Sequence, residues 1–252
     1  MFSEELLNLD YLIYSSHKTG TQTLVHTLRS NGYRCLHFHG LKNIGLNDGD
    51  FPSLLEAYYQ RQGRSLKVIT VFREPIERHI SSFFQAHGSR ALRLGEVNHE
   101  HETILYRYSV EALHQQFIKE LSDRSLIGLP EAMHYIAREL GKEVSEFSFD
   151  TEEKIGIYET KNLVLYLFRF DQLFSNFSDM FAKVTGAPLQ VQNTNMGSDK
   201  WYKEIYEEFK SSLRMPSEVI ESAYQEKKQL INLFYPGDYQ ALLDSVVKKY
   251  GP

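Results

Sequence analysis

The stretch "YLIYSSHKTGTQTLVHTLRSNGYRCLHFH", Tyr11 to His39, changes its hydrophobic period twice. "YLIY" is a short apolar run suited to a buried strand, and a polar glycine turn follows it. In "TQTLVHTLRSNG", Leu24, Thr27 and Leu28 fall on one helical face, and Asn31 with Gly32 supplies a helix stop. "YRCLHFH" then reads as a second strand. Further on, "FPSLLEAYYQRQG" reads as a helix with Pro52 in its first turn and Gly63 closing it, and "LKVITVF" as a third strand. Strands alternating with helices in this order predict parallel strands with right-handed crossovers, and such sheets bind ligands beyond the carboxyl ends of their strands.

Beyond the third strand the pattern is helical from Pro75 to about His87. From Ser89 to Phe147 it is helical and loop-like with many charges, a helical insertion at about 89–147. Sheet character returns in "KIGIY" and in "NLVLYLFRF", whose near-continuous apolar run fits a central strand buried on both faces. The tail is helical, with openings at Asp199 and Pro216. No low-complexity tract or linker divides the chain, so one α/β domain over residues 1–252 is expected, a three-layer sandwich around a central, mainly parallel sheet.

Composition narrows the partners. A net charge of −5 and a pI of about 6.1 over 252 residues exclude a protein that coats nucleic acid, whose footprint is a basic excess. Cys35 is the only cysteine, so no internal disulfide framework exists and a reducing cytoplasm is the expected setting. The first residues, "MFSEELLNLD", are acidic where a signal peptide is basic, and no apolar run approaches the roughly 20 residues of a membrane span.

The chemistry concentrates at the strand ends. A strand, a turn containing Gly20 and a helix beginning near Thr21 aim unpaired backbone N–H groups and a positive helix end at one point, which attracts an anion. Lys18, Thr19, Thr21, Gln22 and Thr23 add a cation and further donors. The phosphate loop of nucleoside triphosphatases places its lysine after the second glycine of GxxxxGK[ST]; here the lysine precedes Gly20. The bland alternative is a polar turn after a strand. In "VFREPIERHISSFF", Arg73 lies just past the third strand and Ser81 about two turns into the following helix, a planar fork and a hydroxyl for a second phosphate. Against this stands a surface pairing of Arg73 with Glu74 or Glu77, and Arg78 itself reads as such a surface partner.

Together the two stretches resemble the sulfotransferases that use 3′-phosphoadenosine 5′-phosphosulfate (PAPS). "HKTGTQT" resembles their 5′-phosphosulfate loop and "REPIERHISSF" their 3′-phosphate segment. "NTNMGSDKWYKEIY", Asn193 to Tyr206, is similar to the Asn-Lys-Trp-Tyr-Ser signature of a bacterial capsular polysaccharide synthesis group, with Lys203 where the signature has serine. "FRFDQLFSNF" resembles the family's late strand. The resemblance implies a P-loop-like sulfotransferase fold and transfer of a sulfuryl group to a hydroxyl, on a carbohydrate. It gives Lys18 contact with the oxygen bridging sulfur and phosphorus, Thr19 to Thr23 the 5′-phosphate, and Arg73 and Ser81 the 3′-phosphate; Lys200, beside Trp201, is a candidate contact for nucleotide or acceptor. No metal is called for, so "HFH" at His37–His39 and "HEH" at His99–His101 are not read as metal sites.

An acceptor hydroxyl needs a base. His37 and His39 end the second strand, on one face by their alternate spacing, and neutral histidine removes protons near pH 7. His39, nearer the strand end, is the first choice; His17 reads as loop-shaping, and for both strand histidines a structural hydrogen bond is the rival reading. Arg90, Arg93, His99, His101 and Arg107 gather cations in the insertion, suited to an acidic saccharide or else to a solvated face. Two other readings stay open: a nucleotide kinase-like phosphoryl transferase and a non-catalytic nucleotide-binding module.

Overall fold

A computed structural model describes residues 2–93, 109–123, 131–191 and 202–252, the side chains of 86–93 excepted. In chain order the elements are α1 (Glu4–Leu7), β1 (Tyr11–Tyr14), α2 (Thr21–Ser30), β2 (Cys35–Phe38), α3 (Asp50–Gln62), β3 (Leu66–Phe72), α4 (Pro75–Arg93), α5 (Val110–Ser122) and α6 (Ala132–Glu139). They continue with β4 (Gly156–Glu159), β5 (Leu163–Arg169), α7 (Phe170–Ser175), α8 (Phe177–Thr185), α9 (Lys203–Ser212), α10 (Ser217–Glu226), α11 (Lys228–Phe234) and α12 (Tyr239–Tyr250). The chain forms two compact units, one of residues 1–73, 130–194 and 229–237, the other of 74–129, 195–228 and 238–252. The expected insertion divides between them, α5 falling in the second unit and α6 in the first.

The first unit holds a five-stranded sheet in the order β2-β1-β3-β5-β4. Four strands run parallel, with Ile13 opposite both His37 and Ile69, and Phe72 opposite Arg169. Edge strand β4, the expected "KIGIY", runs antiparallel to β5. As expected, β5 is interior and buried along most of its length. One face of the sheet, with Tyr11, Ile13, Ile69, Val71, Tyr166 and Phe168, packs on Leu24, Val25 and Leu28 of α2 and on Phe177, Met180 and Phe181 of α8. On the other face Tyr14 meets Phe51 of α3 with ring centroids 6.0 Å apart, and Phe72 stacks on Phe234 of α11 at 4.9 Å. Apolar residues alternate to opposite faces because successive strand side chains do. The result is an α/β unit with helices on both sides of a mainly parallel sheet.

The second unit is helical and centred on aromatic rings. Phe83 and Phe84 of α4 meet Phe209 of α9 at 5.8 and 5.0 Å, and Phe83 meets Phe117 of α5 at 5.4 Å. Pro75 begins α4, where its missing N–H removes no helical bond. Glu74 satisfies the first turn, accepting from the N–H groups of Ile76 and Glu77 and from the Tyr224 hydroxyl. Arg78, expected at the surface, is 3% exposed. Its neighbours Ile76, His79 and Ile80 on α4 are buried with it, which the pairing pattern of charges alone does not reveal.

Glu77 is a hub: its carboxylate accepts from Lys210 Nζ at 2.7 Å, Lys249 Nζ at 2.7 Å and the Tyr250 hydroxyl at 2.6 Å. Burial alone raises its pKa, but these three donors outweigh it and bring the carboxyl down to about 2. A carboxylate depressed on folding stabilises above its unfolded pKa, and the contribution disappears as pH falls from about 4.5 towards 2. Thermal melts between pH 5 and 2 are expected to lose roughly 3 kcal/mol that the Glu77→Gln variant does not lose. Parallel pH curves for the two proteins would refute this.

Candidate anion-binding site

Ser15 to Gly20 carries the chain from β1 into α2, and nearly every polar group in it is tied down. The Ser15 hydroxyl donates to Val71 O at 3.0 Å and accepts from Val71 N at 3.1 Å, stitching the loop to β3. Thr19 is buried, and its hydroxyl donates inward to Ser16 O at 2.7 Å, 2.7 Å from Ser15 Oγ. That differs from the outward donor expected of the Thr19 side chain and leaves this residue its backbone N–H to offer. Lys18 has φ +66, a left-handed backbone that costs an ordinary residue about 1–2 kcal/mol. Gly20, at φ +77, is left-handed too, and a Cβ there would run into the Phe174 ring. Only glycine fits this position.

Gly20 also stands at the N-cap of α2 and supplies no side-chain cap. The first-turn N–H groups of Thr21, Gln22 and Thr23 have no carbonyl of their own helix to bind, and the positive helix end coincides with them. Left-handed Lys18 and Gly20 curl the loop around that end, the kind of backbone concavity that receives anions. Thr21 is buried while Gln22 is exposed.

Arg73 leaves β3 and turns towards the loop. Its Nη1 donates to Lys18 O at 3.0 Å, and its guanidinium lies 4.4 Å from the centroid of the Phe170 ring. One N–H is used, and a guanidinium has five. Phe170 and Phe174, on α7, were not foreseen; a cation with an aromatic partner at its side and the need for glycine at position 20 are their only traces in the sequence.

The histidines gather beside the loop. His39 lies one residue past β2, and its Nδ1 is 2.6 Å from Ser15 O. A carbonyl only accepts, so Nδ1 carries the proton and Nε2 of the neutral ring holds the lone pair. Burial and the Lys18 charge push the His39 pKa below its ordinary value, against the Ser15 hydrogen bond. His37 is also lowered, by burial first and then by His39 and Arg29. Its Nε2 lies 3.3 Å from Gln22 Nε2, an amide donor, so the lone pair of His37 is already engaged. His17, read as loop-shaping, lies against His39 with ring centroids 3.8 Å apart and the rings tilted by 39°. Among the described residues no three of His, Cys, Asp and Glu are grouped to hold a metal ion.

Lys18, Thr19, Gly20, Thr21, Gln22, Thr23, Arg73, His37 and His39 thus all belong to the first unit, at the carboxyl ends of β1, β2 and β3. Ser81, half-buried on α4, belongs to the second. Lys200, with Asn193 to Trp201, lies outside the described residues, as do His99, His101, Arg107 and the side chains of Arg90 and Arg93. No described helix is long and apolar enough to cross a membrane. No family model matches the chain, and neither a curated protein nor a solved structure does.

Proposed function

We propose that the protein transfers a sulfuryl group from PAPS to a hydroxyl, on a carbohydrate acceptor. The observation that carries this reading is the loop: a lysine and a glycine, both left-handed, at the uncapped start of α2, with Arg73 bonded to Lys18 O and a neutral, oriented His39 bonded to Ser15 O. The 5′-phosphate sits against the N–H groups of Thr19 to Thr23. Lys18 faces the bridging oxygen of the donor, and Arg73 takes the 3′-phosphate. In the reaction the acceptor oxygen bonds to sulfur as the bond from sulfur to the bridging oxygen breaks. The electron pair stays on that oxygen beside Lys18, and the acceptor proton passes to His39 Nε2. The products are a sulfate ester and adenosine 3′,5′-bisphosphate.

Calorimetry against adenosine 3′,5′-bisphosphate and AMP tests the donor site. The bisphosphate binds more tightly, and Arg73→Ala removes most of that preference, roughly tenfold or more for one charge-assisted phosphate contact. Ser81→Ala in the same titration checks the role that the resemblance gives Ser81. Equal affinity for the two nucleotides in the unaltered protein would refute the two-phosphate reading. Magnesium-dependent ATP turnover would replace it with phosphoryl transfer, and bisphosphate binding without turnover on any saccharide with a binding module.

A further inference from the structure

We propose that Glu131 is a positioning residue for the anion loop, holding Ser15 to Gly20 in the shape that aims Lys18. The inference rests on the reading of that loop as the donor site. Glu131 stands at the N-cap of α6 and is 4% exposed, yet its side chain does not cap its own helix. It accepts instead from the hydroxyl of Ser16 at 2.6 Å, 115 residues away in the chain. The same Ser16 oxygen accepts from Ala132 N at 3.0 Å. Loop and helix have exchanged roles: Ser16 satisfies the start of α6, and Glu131 fixes the orientation of the Ser16 hydroxyl.

This matters because the next but one residue is Lys18. A left-handed lysine persists only where its surroundings over-determine it. Besides the Ser15 bonds to β3, three ties flank it: Arg73 on Lys18 O, Thr19 on Ser16 O, and Glu131 with Ala132 on Ser16 Oγ. The first two are a part-buried guanidinium just past β3 and a hydroxyl within the loop itself. Of the three, the last anchors the loop to a packed helix, through buried Ala132, Met133, Ile136 and Ala137.

Glu131→Ala, Glu131→Gln, Ser16→Ala and the Glu131→Ala/Ser16→Ala double variant test this, with two readouts on each protein. Amide hydrogen exchange over residues 15–24 reports loop order with no ligand, and calorimetry with adenosine 3′,5′-bisphosphate reports aim. In Glu131→Ala, loop amides are expected to exchange and the nucleotide to dissociate at least about tenfold more readily, as for loss of one charged hydrogen bond. Exchange of β3 and β5 stays as in the unaltered protein. Glu131→Gln keeps an oxygen for the Ser16 hydroxyl and recovers most of both, and the double variant is no worse than Glu131→Ala. Wild-type exchange in residues 15–24 of Glu131→Ala, or fully additive losses in the double variant, would overturn the proposal. If Glu131→Ala does not fold, unchanged loop exchange in Ser16→Ala overturns it equally. Failure of the unaltered protein to bind the bisphosphate would sink the donor reading, and the ligand-free exchange would still decide the positioning role.

Discussion

Replacing Lys18 with alanine is expected to lower turnover with PAPS by about a hundred- to a thousandfold, the effect of removing one preorganised group from a developing oxyanion. Affinity for adenosine 3′,5′-bisphosphate is expected to fall by less than about tenfold, because the helix start and Arg73 keep their hold on the two phosphates. The asymmetry follows from where charge moves. The bridging oxygen gains charge only as its bond to sulfur breaks, so a cation facing it stabilises the transition state more than the ground state. Lys18 is suited to that work because its left-handed backbone is held in place by the Arg73 bond to its carbonyl and by the Ser15, Ser16 and Thr19 ties upstream and downstream. Steady-state kinetics beside product titration separates the two effects. A variant in which kcat stays level while nucleotide affinity collapses would make Lys18 a binding cation and leave the leaving oxygen without its partner.

Most of the sheet was legible because it is built from local signals. "YLIY", "LKVITVF" and "NLVLYLFRF" are apolar runs with clear turn residues around them, and they became β1, β3 and β5. The C-cap of α3 at Gly63 and the N-cap of α10 at Pro216 were likewise written in single residues. The direction of β4 was not, since "KIGIY" reads the same in a parallel or an antiparallel neighbour; its short connection to β5, Thr160 to Asn162, allows only the antiparallel return. The loop's anion character was readable from Lys18, Gly20 and the helix that follows. What holds the loop was not. Glu131 lies 115 residues from Ser16, and Phe174 meets Gly20 from another helix, so neither has a spacing that marks it. The order of the histidines followed from His39 lying nearer the strand end, but the reason for it needed coordinates, because His37 and His39 share one face and differ in what Gln22 and Ser15 do to their nitrogens.

That difference leads to the second large effect. His39→Ala is expected to reduce turnover by about a hundred- to ten-thousandfold, the range for loss of a general base, with donor affinity retained. His37→Ala is expected to cost far less, because its Nε2 is already engaged by Gln22 whereas His39 keeps Nε2 for the acceptor proton once Nδ1 has donated to Ser15 O. The pH dependence has a definite sign. Burial and Lys18 hold the His39 pKa below 6.5, so the base stays neutral below the point where an exposed histidine charges. The plot of kcat/KM against pH should therefore remain level as pH falls through 6.5 and bend only lower, and the bend should disappear in His39→Ala. Replacing Lys18 removes one cause of the depression, so in Lys18→Ala the bend should move up towards the ordinary histidine value. A bend that stays in place in both variants would assign the titrating group elsewhere and pass the base role from His39 to another residue.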